Sequence, residues 1–372
     1  DITAWSLPYV YGLNAYLTDK EVKKLDYKIN TKDNSIDKNA IAYASVWNEI
    51  EDAKFLSSLL NNNIKVRYNK KDIQTGDLFL SKGSMIIYKG DQIIEDFEDI
   101  LFKEAKNFNI KLSSIYSGIS ISGPDLGSDS VKLIKNKKIA ILSGDDNQNS
   151  VSSLNYGSIW HFFEQELRYP LTHLNIKDFK RVSLDKFDVL IIPDGYYGSI
   201  GNESNLDKIE SWMYKGGNII AFEDAIKIFS NKEGFSVKTK KIKEVEKEEV
   251  NFEDISRNNI QNYLAGAIFK VKIDETHPLA FGYNKEYYSL KTSTSTYELL
   301  DNGYNVGKIE NLKNNVLGFV GDKIKTKLKN SLVFGHERIG RGNIVYFVDN
   351  VMFRSFWENG KMFLANSVFY IN

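Results

Sequence analysis

Three short and largely apolar runs constrain this chain more than any other feature: Ile139-Ala140-Ile141-Leu142, Phe187-Asp188-Val189-Leu190-Ile191-Ile192-Pro193 and Asn218-Ile219-Ile220-Ala221-Phe222. A strand with one face in water alternates apolar and polar residues. A run without alternation suits a strand covered on both faces, which is the condition of a parallel sheet. Each run is followed by a loop and a helical pattern. The first leads through Ser143-Gly144-Asp145-Asp146 to a helix expected from Ser153 to Tyr169 and stopped by Pro170. The second ends in Pro193-Asp194-Gly195 and is followed by a helix over Leu206–Tyr214, with Leu206, Ile209 and Met213 inward and Gly216-Gly217 as its stop. The third turns sharply at Glu223-Asp224 into a helix through Phe229. Alternating strands and helices predict an α/β fold, a parallel sheet with helices on both faces.

A smaller α/β unit is expected upstream. Ile41–Val46, Ile64–Tyr68, Ser84–Tyr88 and Ile110–Ile115 read as strands, and Asn48–Leu60 and Gln92–Phe108 as helices, the second with Ile93, Phe97, Leu101 and Ala105 on one stripe. By the same alternation its sheet is expected to be largely parallel. The Gly/Ser/Pro/Asp-rich stretch Ser117–Ser130 marks the boundary. The expected division is an irregular, aromatic leading segment over 1–37, the small domain over 38–130 and the main domain over 131–372. Lys238–Glu249 is a mixed charge run, read as part of a solvated insertion near 235–262. From Ala265 onward the pattern gives strands at 268–273, 287–291, 304–309, 316–320, 331–334 and 343–348, then a final helix over Met352–Tyr370.

Charge removes whole classes of function. The 372 residues carry 49 basic and 49 acidic side chains, so nothing steers the chain to nucleic acid or an anionic membrane, both of which demand a basic excess. The absence of cysteine excludes disulfides, thiolate metal sites and a cysteine nucleophile. No stretch approaches the ~18 apolar residues of a membrane span. The opening Asp1-Ile2-Thr3 has neither Met nor an apolar leader, as expected of a processed chain or a fragment.

The turn after the third run matters most for chemistry. A buried strand, a sharp turn and a helix form the elbow on which class I glutamine amidotransferase-like folds present a nucleophile beside backbone N–H groups. Here the elbow reads Ala221-Phe222-Glu223-Asp224-Ala225, with Glu223 where a cysteine or serine is needed. After the last strand, where that fold places a histidine, stands Asp349-Asn350. The expected fold is therefore flavodoxin-like, of the class I glutamine amidotransferase-like kind, without its nucleophile. Asp194, Glu223 and Asp349 all fall at strand carboxyl ends, the crevice where open α/β sheets bind ligands. With Tyr196 they are the candidate ligand-binding residues, and Tyr197 and Trp212 are further aromatics for such a site. The plainer reading, that these carboxylates cap helices and turns, is preferred.

A weaker metal reading rests on His161, Glu164 and His277. His-x-x-Glu with a distant His matches a zinc peptidase spacing, but Tyr156, Trp160, Phe163 and Leu167 make a buried stripe that leaves His161, Glu164 and Arg168 together on the other face. His277 is expected in a turn and His336-Glu337 in a solvent-facing hairpin before Gly340-Arg341-Gly342. Gly198-Ser199-Ile200-Gly201 is too slight for a phosphate loop.

Four stretches carry a resemblance: Thr3–Pro8 with Tyr11-Gly12, Gly157-Ser158-Ile159-Trp160-His161-Phe162-Phe163-Glu164-Gln165-Glu166-Leu167, Thr276-His277-Pro278-Leu279-Ala280-Phe281-Gly282-Tyr283, and Phe353-Arg354-Ser355-Phe356-Trp357-Glu358-Asn359-Gly360-Lys361. Together they resemble the glutamine amidotransferase-like region downstream of the catalytic domain in large secreted zinc carboxypeptidase-like proteins of Bacteroidetes-type bacteria. The resemblance implies a non-catalytic accessory region whose partner is its own upstream peptidase domain. It also implies no cofactor in this chain, zinc belonging to that domain alone, and a periplasmic or extracellular location. The alternatives are a glycan- or peptide-binding module using the acidic crevice and, second, a self-contained zinc hydrolase.

Overall fold

The three apolar runs lie side by side in one ten-stranded sheet. The computed structural model describes residues 6–23, 34–241, 251–311, 313 and 315–371. Most of the charge run, 242–250, and the Thr3-Ala4-Trp5 part of the leading segment lie outside them. Contacts divide the chain into a larger unit, Asp1–Leu13, Lys137–Phe162 and Pro170–Asn372, and a smaller one, Asn14–Asn136 and Phe163–Tyr169.

The strands of the large sheet are β1 Ile139–Ser143, β2 Leu171–Asn175, β3 Val189–Ile192, β4 Asn218–Phe222, β5 Leu264–Ile273, β6 Glu286–Lys291, β7 Tyr304–Ile309, β8 Asn315–Val320, β9 Ser331–Ile339 and β10 Gly342–Phe347. Their order is β2-β1-β3-β4-β10-β9-β7-β5-β6, with β8 also on β5. The first five are mutually parallel and follow the flavodoxin-like order 2-1-3-4-5 when counted among themselves. The fold class is thus the expected one. Beyond β10 the sheet is antiparallel.

Alternation of side chains explains how both faces are filled. Ala140, Leu142, Leu190, Ile192, Ile219, Ala221, Ile344 and Tyr346 share one core with Leu206, Ile209, Trp212 and Met213 of helix α2, Glu203–Tyr214. On the opposite parity, Phe222 meets Phe347 at 5.1 Å, and Phe334 touches both Phe347 and Phe363 of helix α3, Lys361–Phe369. The expected final helix is shorter because Arg354 and Ser355 adopt φ of 55° and 52°, and two 3-10 turns replace its first half.

The helix after β1 also departs from expectation. Helix α1, Ser153–Trp160, passes into a π turn over His161–Glu166, and Arg168 at φ 53° ends the segment. The wider turn advances the buried side so that Ile159, Phe162, Phe163 and Leu167 are covered while Tyr156 and Trp160 are only partly so.

In the smaller unit the sheet runs Ser113–Ile115, Ala42–Ser45, Met85–Tyr88, Arg67–Asn69, Val131–Leu133, and every pairing is antiparallel. The parallel sheet expected there is not formed. Each helix, Ile50–Asn61 and Phe97–Asn107, still connects two strands of the same direction, but one reversed strand is slotted between them. That insertion is invisible to a pattern of alternating elements. Ile93 lies outside the second helix and is 84% exposed.

Gly217 illustrates how tightly the main core closes. A Cβ there would fall inside the Trp212 indole, whose Nε1 donates to the Phe187 carbonyl at 3.2 Å. Gly217→Ala is expected to destabilise the fold by about 1–3 kcal/mol through overpacking, read as a lower urea midpoint with unchanged slope.

Candidate functional site

Strand β4 delivers Glu223 in a conformation that side chains avoid. Its φ is 47°, left-handed backbone that costs ~1–2 kcal/mol in a residue with a Cβ. A 3-10 helix, Glu223–Ile228, follows directly, so the expected sharp elbow is present and the acid sits at its apex. Parallel strands bring their carboxyl ends to one edge. Asp194 after β3 and Asp349 after β10 therefore stand on either side of Glu223, close enough to act on its charge.

Each acid has a different environment. Asp349 is buried, with Lys291 Nζ at 2.8 Å and Ser289 Oγ donating to its other oxygen at 2.8 Å. Lys291 is equally buried, at 2% side-chain exposure. Both partners come from β6, so the antiparallel extension folds back over the end of β10. Asp194 accepts the Asp224 backbone N–H at 3.1 Å, and its own N–H donates to Asn155 Oδ1 at 2.8 Å. Asn155 is 2% exposed, and its Nδ2 has no hydrogen-bond partner among the described residues. Burial raises the Asp194 pKa. Glu223 is half-buried; burial first, then the charges of Asp194 and Asp349, push its pKa up to about 8, against the pull of Lys291. At neutral pH Glu223 is therefore largely protonated.

An open cleft of about 410 Å³ adjoins this group, lined by Asp194, Tyr196, Gly198, Asp224, Lys227 and Lys232. Tyr196 is 69% exposed. Gly195 lets the two-stranded antiparallel sheet Asn149–Val151/Gly195–Tyr197 close, since a Cβ would strike the Ser150 carbonyl. Tyr197 also lines this cleft, although it is only 7% exposed and its hydroxyl donates to the Pro193 carbonyl at 2.8 Å, whereas the buried Trp212 is not part of the lining. In the glycine-bearing loop, read from sequence as too slight for phosphate, the N–H groups of Ser199 and Ile200 are taken by Asn149 Oδ1.

The metal candidates do not assemble. Among the described residues no group of three or more metal-ligating side chains forms. His277, instead of lying in an open turn, is buried and hydrogen-bonded to His336, and the hairpin bearing His336-Glu337 is buried rather than solvent-facing. The Leu279 N–H donates to His277 Nδ1, which places the proton on Nε2, aimed at His336 Nδ1 at 3.0 Å. His336 Nε2 then donates to Asn343 Oδ1 at 2.9 Å, and Asn343 to Asn218 Oδ1 at 2.8 Å. Burial lowers both histidine pKa values, that of His277 to about 3. His161 is exposed on the π turn. Glu337 holds Ser236 and the Tyr346 hydroxyl.

Sequence reasoning missed Lys291, Ser289 and Asn155. The available signal was parity: Ser289 and Lys291 share the inward face of β6 with the buried Tyr287. The stretches that carry the resemblance also meet within the larger unit. Gly12 packs on Asn359, where a Cβ would strike the amide, the Tyr283 hydroxyl donates to the Asn359 carbonyl at 2.8 Å, and Ser355 Oγ donates to the Ser158 carbonyl at 3.4 Å.

No protein-family profile matches the chain, and no curated protein matches its sequence. Solved structures similar to it include a ThuA-like protein of Bacteroides uniformis, 12% identical over 62% of this chain and 89% of that one, with a TM-score of 0.39. A glutamine amidotransferase of Thermotoga maritima is 10% identical, over 59% and 77%, at 0.35. An exo-β-1,4-mannosidase of an Opitutaceae bacterium is 10% identical, over 76% and 39%, at 0.34. With identities and scores this low, the fold assignment rests on strand order. No helix among the described residues is long and apolar enough to cross a membrane.

Two outcomes test the site. Lys291→Met is expected to cost about 3–5 kcal/mol by stranding the buried Asp349 charge, whereas the Lys291→Met/Asp349→Leu pair recovers most of that loss in denaturant titrations. For Glu223 the folded pKa is raised from 4.5 to about 8, so its favourable contribution is complete below pH 4.5 and is lost as pH rises through 8. Glu223→Gln is therefore expected to be more stable than the parent above pH 8, by up to about 5 kcal/mol, and thermal melts across that range read the difference.

Proposed function

We propose that this chain is a non-catalytic recognition module whose site is the carboxyl crevice at the Glu223 elbow, and that it serves an adjoining peptidase domain. One observation carries the reading: the strained elbow is kept, at φ 47°, while Asp349 is engaged by Lys291 and Ser289. A nucleophile–base pair needs a nucleophile at the first position and a mobile proton acceptor at the second. A Glu223 held largely protonated is a poor nucleophile, and Asp349 is held by Lys291 and Ser289. Glu223, Asp194 and the exposed Tyr196 together offer polar groups that suit hydroxyl or amide groups of a glycan or peptide.

The accessory role, the upstream zinc-bearing peptidase domain as partner and a periplasmic or extracellular location rest on the resemblance of the four stretches. Their convergence around Tyr283, Ser158 and Asn359 supports one shared structural role for them. Zinc, on this reading, belongs to the partner domain.

Thermal-shift screening of oligosaccharides and short peptides tests the site. A ligand at about a hundredfold excess over its Kd is expected to add ~2.7 kcal/mol to the parent, and Glu223→Ala is expected to abolish the shift. Turnover of a peptide or glutamine analogue that disappears in Glu223→Gln would overturn the non-catalytic reading. A complete absence of ligand shifts would remove the recognition role.

A further inference from the structure

The strand β8 is bonded to β5 alone among the described strands, so its outer edge carries unpaired backbone donors and acceptors. It is also exposed and apolar: Val316 is 37%, Leu317 39% and Phe319 48% accessible. Such edges accept a further strand unless something blunts them. Two open clefts take their walls from β8. One, about 390 Å³, lies at its start between Lys270, Lys272, Lys285, Lys313 and Val316. The other, about 330 Å³, lies at its end beside Arg257, Ile260, Phe319 and Lys325. The cations of the first cleft are answered only in part, by Glu286 with Lys270 and Glu310 with Lys272. Lys285 and Lys313 are exposed and have no ion-pair partner among the described residues. In the second cleft Asp322 meets Lys325, leaving Arg257.

We propose that the outer edge of β8 is a docking site for an extended, acidic and apolar peptide segment of a partner protein, added as a further strand. Backbone hydrogen bonds along Asn315–Val320 supply affinity. Alternate side chains select the partner, apolar ones over Val316, Leu317 and Phe319, acidic ones toward the lysines at either end. Charge favours this occupant over a second copy of the chain. Two β8 edges paired antiparallel would place the Lys285/Lys313 end of each against the Arg257/Lys325 end of the other, like charge on like.

The test uses the whole chain and a fluorescent, end-capped peptide of about seven alternating Val and Glu residues, with a Val/Lys peptide as control. The Val/Glu peptide is expected to bind, to weaken about tenfold in Lys285→Glu/Lys313→Glu and to weaken further with salt. It is also expected to slow hydrogen exchange at Asn315–Val320. Both substituted lysines are exposed, so melting curves should match the parent and loss of fold is excluded as a cause. Failure of the Val/Glu peptide to bind, equal binding of the Val/Lys peptide, or binding without protection of Asn315–Val320 overturns the proposal. So does concentration-dependent self-association of the peptide-free protein with the same protection, which would assign the edge to a second copy.

Discussion

The buried pair of Lys291 and Asp349 is the interaction on which the rest of the elbow depends. It joins β6 to the end of β10, two strands at widely separated places in the sheet order, and so holds the antiparallel extension curled over the carboxyl ends of the parallel strands. Two charges out of water are tolerable only together, and here Ser289 satisfies the remaining carboxylate oxygen. The pair also sets the field at Glu223. Lys291 draws the carboxyl toward ionisation while Asp349 and Asp194 oppose it, with burial the larger influence throughout.

The shape of the elbow has a source separate from the side chain at its apex. Strain at φ 47° is unfavourable for glutamate in isolation, and it persists because a fully buried strand and a 3-10 helix fix both sides of the residue. Backbone and core, rather than the chemistry at the apex, determine the geometry.

Legibility in the sequence followed burial. Fully covered strands announce themselves as unbroken apolar runs, so β1, β3 and β4, the elbow and the three acids at the strand ends could be read directly. Where exposure alternates or an element is short, the reading failed. Three-residue strands such as Arg67–Asn69 and Val131–Leu133 carry too little pattern to fix direction, and the small sheet turned out antiparallel. A π turn shifted the buried side after Trp160. Lys291 and His336, residue types usually found in water, are buried because partners distant in sequence, Asp349 and His277, pair with them, which no local pattern records.

The histidine chain has a consequence of its own. From the Leu279 N–H through His277, His336 and Asn343 to Asn218, every donor points the same way, and the series crosses from the turn after β5 through β9 and β10 to β4. Neither ring can take up a second proton without setting donor against donor. His277, with its pKa lowered from 6.5 to about 3, supports the fold fully above pH 6.5 and progressively withdraws that support as acidity moves toward its folded value. Acid therefore weakens the sheet at the junction of its parallel and antiparallel halves.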